Sequence, residues 1–144
     1  MRSLALTVLC LVVVPAGVFA WAASSRSGGD WTVAGVRSEL AAQGFQHVST
    51  PAVSGLHAKT AAERRQFQQV RGLVFGQSRA GVAIMFVMKD DASARELYRL
   101  AQHEGANFGG GRLKGAAVRN VLIDYIRPAQ GPDRFNALVA ALSR

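Results

Sequence analysis

GVAIMFVM, residues Gly81 to Met88, is the stretch whose reading decides the fold. Seven of its eight residues are apolar, and neither alternate set (Val82, Ile84, Phe86, Met88 or Ala83, Met85, Val87) carries a polar side chain. A half-exposed strand shows a polar face at period two, so this one is expected to be buried on both faces. Eight residues are too few for a membrane-crossing helix and suit a central strand. The residues from Gly76 to Gly81 read as a turn, and Lys89-Asp90-Asp91 closes the run with charge.

Downstream, Asp90 and Asp91 cap a helix expected over 92–103, where Ala94, Leu97, Tyr98 and Ala101 form one stripe at helical spacing. Four glycines between Gly105 and Gly111 end it in a loop, and Leu113 to Val118 reads as a strand or an extended arm. NVLIDYI, residues 120–126, is the second strong strand. Its Asp124 implies that one face reaches solvent or a partner group. A turn over 128–132 leads to a last helix capped by Asp133, with Phe135, Leu138, Val139 and Leu142 as its apolar stripe.

Upstream, Thr32 is placed to cap a helix over 33–43, and Gly44 sits where a left-handed terminator belongs. A short strand is expected over 45–49. Thr60 and Glu63 have the spacing of a capping box for a thin helix over 61–70. Gly72 to Phe75 is the hairpin partner of the central strand. The expected fold is α+β: a small mixed sheet of three to five strands with a ββαβα core. In it, strands 82–88 and 120–126 run parallel across the intervening helix, and the helices lie mainly on one face.

The chain opens MRSLALTVLCLVVVPAGVFAWAASS, with one Arg and then an uncharged apolar run from Leu4 to Ala23. This is the layout of a secretory signal, cleaved before Ala23 after Ala20-Trp21-Ala22, or of an uncleaved apolar helix that anchors the chain. Arg2 would hold that end inside the cell, so the body is expected outside the cytoplasm on either reading. Cys10, the only cysteine, lacks a small residue before it and reads as an ordinary leader residue rather than a lipid attachment site. Residues 1–22 are thus expected to be a signal peptide or anchor, 23–31 a flexible linker, and 32–144 one extracytoplasmic domain without disulfides.

Leaving out Arg2, 16 Lys and Arg stand against 9 Asp and Glu, a formal charge of +7. That balance gives solubility and favours encounter with anionic surfaces. Ser54 and His57 are near in sequence, but Ala52-Val53-Ser54-Gly55 lacks the glycine of a nucleophile elbow. His47, His57 and His103 are too far apart for the short ligand spacing of a zinc site. The glycines of GANFGGGRLKG follow a helix instead of opening one, the wrong place for a phosphate cradle. No catalytic residue, metal site or cofactor is assigned. Under the parallel arrangement, the loops entering 82–88 and 120–126 share one end of the sheet. Arg79, Arg112, Lys114 and Arg119 would then gather as an anion- or partner-binding edge. The edge lacks the aromatic platforms that single-stranded nucleic acid needs, so nucleic acid is not an expected partner.

The sequence of an apolar strand, an alanine-bearing helix and the RNVLIDY strand at Arg119–Tyr125, behind an apolar leader, resembles small exported proteins of unknown function from high-GC Gram-positive (actinobacterial) species. The resemblance spans Gly72 to Leu142 and implies export and an α+β fold, with no activity and no site residues. The leader departs from that pattern in lacking a lipobox. The function expected is that of a non-catalytic envelope module, secreted or membrane-tethered, that binds a membrane protein or an anionic envelope polymer. The alternatives are a small envelope hydrolase or a small-molecule binder. The oligomeric state is left open.

Overall fold

The computed structural model describes residues 26–27, 29–103 and 113–144. The expected N-terminal apolar helix lies outside these residues, as do Arg112 and the glycine-rich stretch before it. In chain order the elements are β1 (Arg26–Ser27), β2 (Asp30–Trp31), α1 (Val33–Ala42), β3 (His47–Ser49), α2 (Ala61–Phe67) and β4 (Val70–Ser78). They continue as β5 (Gly81–Met88), α3 (Asp91–His103), β6 (Leu113–Val118), β7 (Val121–Ile126) and α4 (Phe135–Ser143). Strands β3 to β7 form one sheet in the order β3-β4-β5-β7-β6, while β1 and β2 make a separate small ribbon.

The α+β class holds, but two features of the expected architecture are corrected. Every neighbouring pair in the sheet is antiparallel, so the sheet is not mixed. The helix after β5 leads to β6 at the edge, and β7 returns by a two-residue turn at Arg119 and Asn120 to lie between β6 and β5. The parallel relation expected of β7 thus belongs to β6, which runs with β5 but does not touch it. The core is ββαββα, one strand longer than expected.

The second correction concerns the layers. Pairing puts Val74, Ala83, Met85, Val87, Val121, Ile123 and Tyr125 on one face, beneath Val36 and Leu40 of α1 and Leu138 and Leu142 of α4. The opposite face carries Phe86, Met88 and Leu122 beneath Phe67 of α2 and Ala94, Leu97 and Tyr98 of α3. Helices therefore cover both faces. The central strand accordingly hides its Ala83, Met85 and Val87 side completely, whereas Val82, Ile84 and Phe86 stay half-buried.

Local chemistry explains the close approach of α1. Along β4, Gly72, Val74 and Gly76 share the face that α1 covers. A Cβ on Gly72 would stand 2.5 Å from Val33 Cγ2, and one on Gly76 would stand 3.2 Å from the Phe45 ring. The helices start as their caps dictate. Thr32 Oγ1 accepts from Gly35 N, Asp90 Oδ1 from Ser93 N, and Thr60 with Glu63 completes a reciprocal capping box.

Trp31 lies at the end of the segment expected to be a linker, yet it is a core residue. Its indole N–H donates to Leu142 O at 2.8 Å, satisfying one of the carbonyls that the end of α4 leaves open. Its backbone is gripped by Asn120, the only fully buried amide side chain among the described residues. Asn120 Oδ1 accepts from Trp31 N at 2.8 Å, and Nδ2 donates to Trp31 O at 2.9 Å and Met88 O at 3.0 Å. Removing that amide strands one donor and two acceptors in the core. Asn120→Ala is expected to lower stability by about 3 kcal/mol or more, read as a fall in the urea midpoint with unchanged m-value.

Candidate functional site

Antiparallel pairing decides which cations meet. Val82 of β5 pairs with Ile126 at the end of β7, and Val87 pairs with Val121 at its start. The β4–β5 turn carrying Arg79 therefore lies beside the exit of β7, and Arg119, which precedes β7, lies at the opposite end of the sheet. Arg119 is engaged there: with φ 53° it forms the β6–β7 turn, and its guanidinium donates to Gly29 O and to Ser143 O at the end of α4. Lys114 pairs in register with Tyr125, which puts it at the Arg79 end. The structure thus brings Arg79 and Lys114 to one end and separates Arg119 from them.

Two further cations join that end, and the sequence reading passed over both. Arg127 follows the last residue of β7, and Arg134 immediately precedes α4. The buried Tyr125 hydroxyl ties these parts together by donating to Ala80 O in the β4–β5 turn and accepting from Arg134 N at 3.0 Å. Gly81 takes φ +112° beneath this bridge, and a Cβ there would meet Ile126 O at 2.5 Å. The signal that finds Arg127 and Arg134 is the direction of β7, which hangs on the weakly marked strand β6. Reversing β7 carries both of its C-terminal neighbours to the Arg79 turn.

Among the described residues, the carboxylates at or bordering this end are already committed: Glu39 Oε1 accepts from Gln43 Nε2 at 3.2 Å and faces Arg144 at 3.8 Å, and Asp133 is shared by two of the cations. Asp133 Oδ2 receives Lys114 Nζ at 2.5 Å, with Arg127 Nε at 4.0 Å, and its Oδ1 accepts from Phe135 N. The Lys114 hydrogen bond, then the Phe135 N–H, hold its carboxyl below the ordinary range. Among the described residues neither Arg79 nor Arg134 has a carboxylate partner. These two arginines line a cleft of about 500 Å³ together with Gln43, Gln46 and Ser78. Ser78 Oγ accepts from Ala80 N, which leaves its own hydroxyl proton free to donate. Two guanidiniums, a hydroxyl and the Gln46 amide, beside a Gln43 amide that already gives one N–H to Glu39 Oε1, make a donor-rich recess suited to an anion.

Other titratable groups are placed apart from this end or lack partners. His57 lines a cleft of about 390 Å³ with Arg64, Phe67 and Gln68, and it shares no hydrogen bond with Ser54. Among the described residues no group of three His, Cys, Asp or Glu side chains is placed to hold a metal ion. No helix among them is long and apolar enough to cross a membrane. The chain matches no protein-family model, no curated protein and no solved structure.

Asp124 sits between Ile84 and Gly115 on the half-covered face. Its Oδ1 is buried without a hydrogen-bond partner, and burial pushes its carboxyl up to about 6. The folded state therefore holds this proton more tightly than the unfolded chain does. Stability falls as pH rises from about 4 through 6, and above that range the carboxylate costs about 3 kcal/mol. Asp124→Asn is expected to remove this slope. Urea midpoints of the parent should decline from about pH 4 to 7 relative to the variant, leaving the variant the more stable at neutral pH.

Proposed function

We infer that this chain is an extracytoplasmic, non-catalytic module of the cell envelope that engages an anionic partner at the sheet end bearing Arg79, Lys114, Arg127 and Arg134. The supporting observation is the local charge balance. Among the described residues, four basic side chains share that end with Asp133, which Lys114 and Arg127 already neutralise, while Glu39 behind Gln43 faces Arg144. The excess positive charge falls on Arg79 and Arg134 at the mouth of a polar recess. Such a surface steers anions toward it and holds them most strongly where water is partly excluded. The apolar leader supports export or tethering, and either fate puts the module among anionic lipids and polymers.

The half-covered sheet face favours a second reading, in which a protein partner buries it. Ile126, 43% exposed, stands there beside half-buried Val82 and Leu113. Apolar burial of that kind is far less sensitive to salt than charge attraction.

Binding of the full chain to phosphatidylglycerol vesicles, with phosphatidylcholine vesicles as control, separates these readings. The double variant Arg79→Glu/Arg134→Glu is expected to bind the anionic vesicles about tenfold more weakly at low salt, with the difference shrinking as salt is raised. Arg64→Glu/Arg95→Glu, exposed positions away from this end, changes the net charge equally and is expected to lose much less. Equal losses in the two double variants would replace a site with a diffuse charge effect.

A further inference from the structure

Beside the basic recess runs a second, apolar cavity. Because Gly72 and Gly76 let α1 settle onto β4, the outer flank of the helix stops short of the edge strand β3. The gap is a groove of about 680 Å³, floored by Phe45 and Val48 and walled by Val33, Ala34 and Ala41. Its volume is that of a small-molecule site. From Val33 to Ala41 the wall follows the helix for about 12 Å, so the groove is long as well as apolar.

The groove leads to the recess. Gln46 lines both cavities, at the end of α1 where Gly44 turns the chain toward β3. The charged residues lining the two are Arg37, Arg79 and Arg134, with no carboxylate among them. The carbonyl end of α1 and Glu39, held by Gln43 and Arg144, border this junction, and capping softens the negative pole of the helix. Glu39 O, Leu40 O and Ala41 O already accept from the amides of Gln43, Gly44 and Phe45.

We propose that groove and recess form one site for a single-chain anionic amphiphile. Its alkyl chain lies along α1 over Phe45 and Val48, and its phosphate or carboxylate headgroup sits between Arg79 and Arg134. The assignment rests on the anion-binding reading of the sheet end and adds the apolar half of the ligand. Charge selects the anion, and the length and apolar floor of the groove select an alkyl chain. A peptide strand added to the free edge of β3 is the competing occupant, and it would need neither headgroup nor groove.

The test titrates the full chain with dodecyl phosphate below its micellar concentration, with dodecanol and with inorganic phosphate. Dodecyl phosphate is expected to bind at least about tenfold more tightly than either of the others, because it alone satisfies both halves of the site. Ala41→Trp fills the groove from an exposed position and is expected to abolish that advantage while leaving inorganic phosphate binding unchanged. Ala34→Leu, a milder filling near the other end, checks that the effect is not misfolding and is expected to weaken the alkyl ligand alone. Arg79→Glu/Arg134→Glu should weaken both phosphates. Dodecyl phosphate binding that is unchanged in both groove variants, or no tighter than that of dodecanol, overturns the amphiphile site. If the groove variants keep parental affinity while the arginine variant loses it, the anion-binding end survives alone. If the arginine variant binds both phosphates as the parent does, that reading fails as well.

Discussion

The amide of Asn120 joins Trp31, which lies outside the main sheet, to the place where β5 ends and β7 begins. Its two N–H groups and its oxygen are all used, on Trp31 N, Trp31 O and Met88 O, and its own backbone oxygen accepts from Met88 N. A buried amide left half-satisfied costs more than its bonds return when complete, so such a group specifies one arrangement. Here it holds Trp31 against the end of α4, fixes the β6–β7 turn against the end of β5, and closes the core over the α1 and α4 face. The turn is otherwise unfavourable, because Arg119 adopts a left-handed φ that a residue with a side chain resists. The hydrogen bonds of Arg119 to Gly29 O and Ser143 O brace that turn.

The same turn sets the electrostatics. By reversing the chain into β7, it carries Arg127 and, after the following loop, Arg134 to the opposite end of the sheet, where Arg79 and Lys114 already stand. Arg119 is left behind as a structural cation. Positive charge is thus spread widely in sequence but concentrated in space, and the Tyr125 hydroxyl locks the loop carrying Arg134 to the turn carrying Arg79.

Much of the framework was legible in the residues themselves. The unbroken apolar run of β5, the stripes of α3 and α4, the caps at Thr32, Asp90 and Thr60 and the short β3 all follow from local rules. The direction of β7 did not. It depends on β6, whose LKGAAV offers one β-branched side chain and no large aromatic, so it signals a strand only weakly. Arg119-Asn120 is also not one of the glycine pairs that announce a tight hairpin. With β6 read as a strand or an extended arm, the helix is taken to lead straight to β7, and every inference about which loops share an end inherits that error. The covering of the second face was hidden for a different reason. Phe67 and Val70 look thin as an apolar face, yet they suffice when α3 supplies the rest of the layer. Trp31 carried no periodic signal at all, since its burial is set by contacts 89 and 111 residues away.

Those separations bear on the order in which the domain can assemble. A chain emerging from its N-terminus presents Trp31 early, but its backbone partner at Asn120 and its indole partner at Leu142 follow 89 and 111 residues later. Until then the α1 face has no α4 to close it, and the largest apolar side chain of the described residues has no enclosure. Contacts this distant along the chain are formed late and slowly. The domain is therefore built to remain open while its N-terminal half is being made, and to close only when α4 arrives.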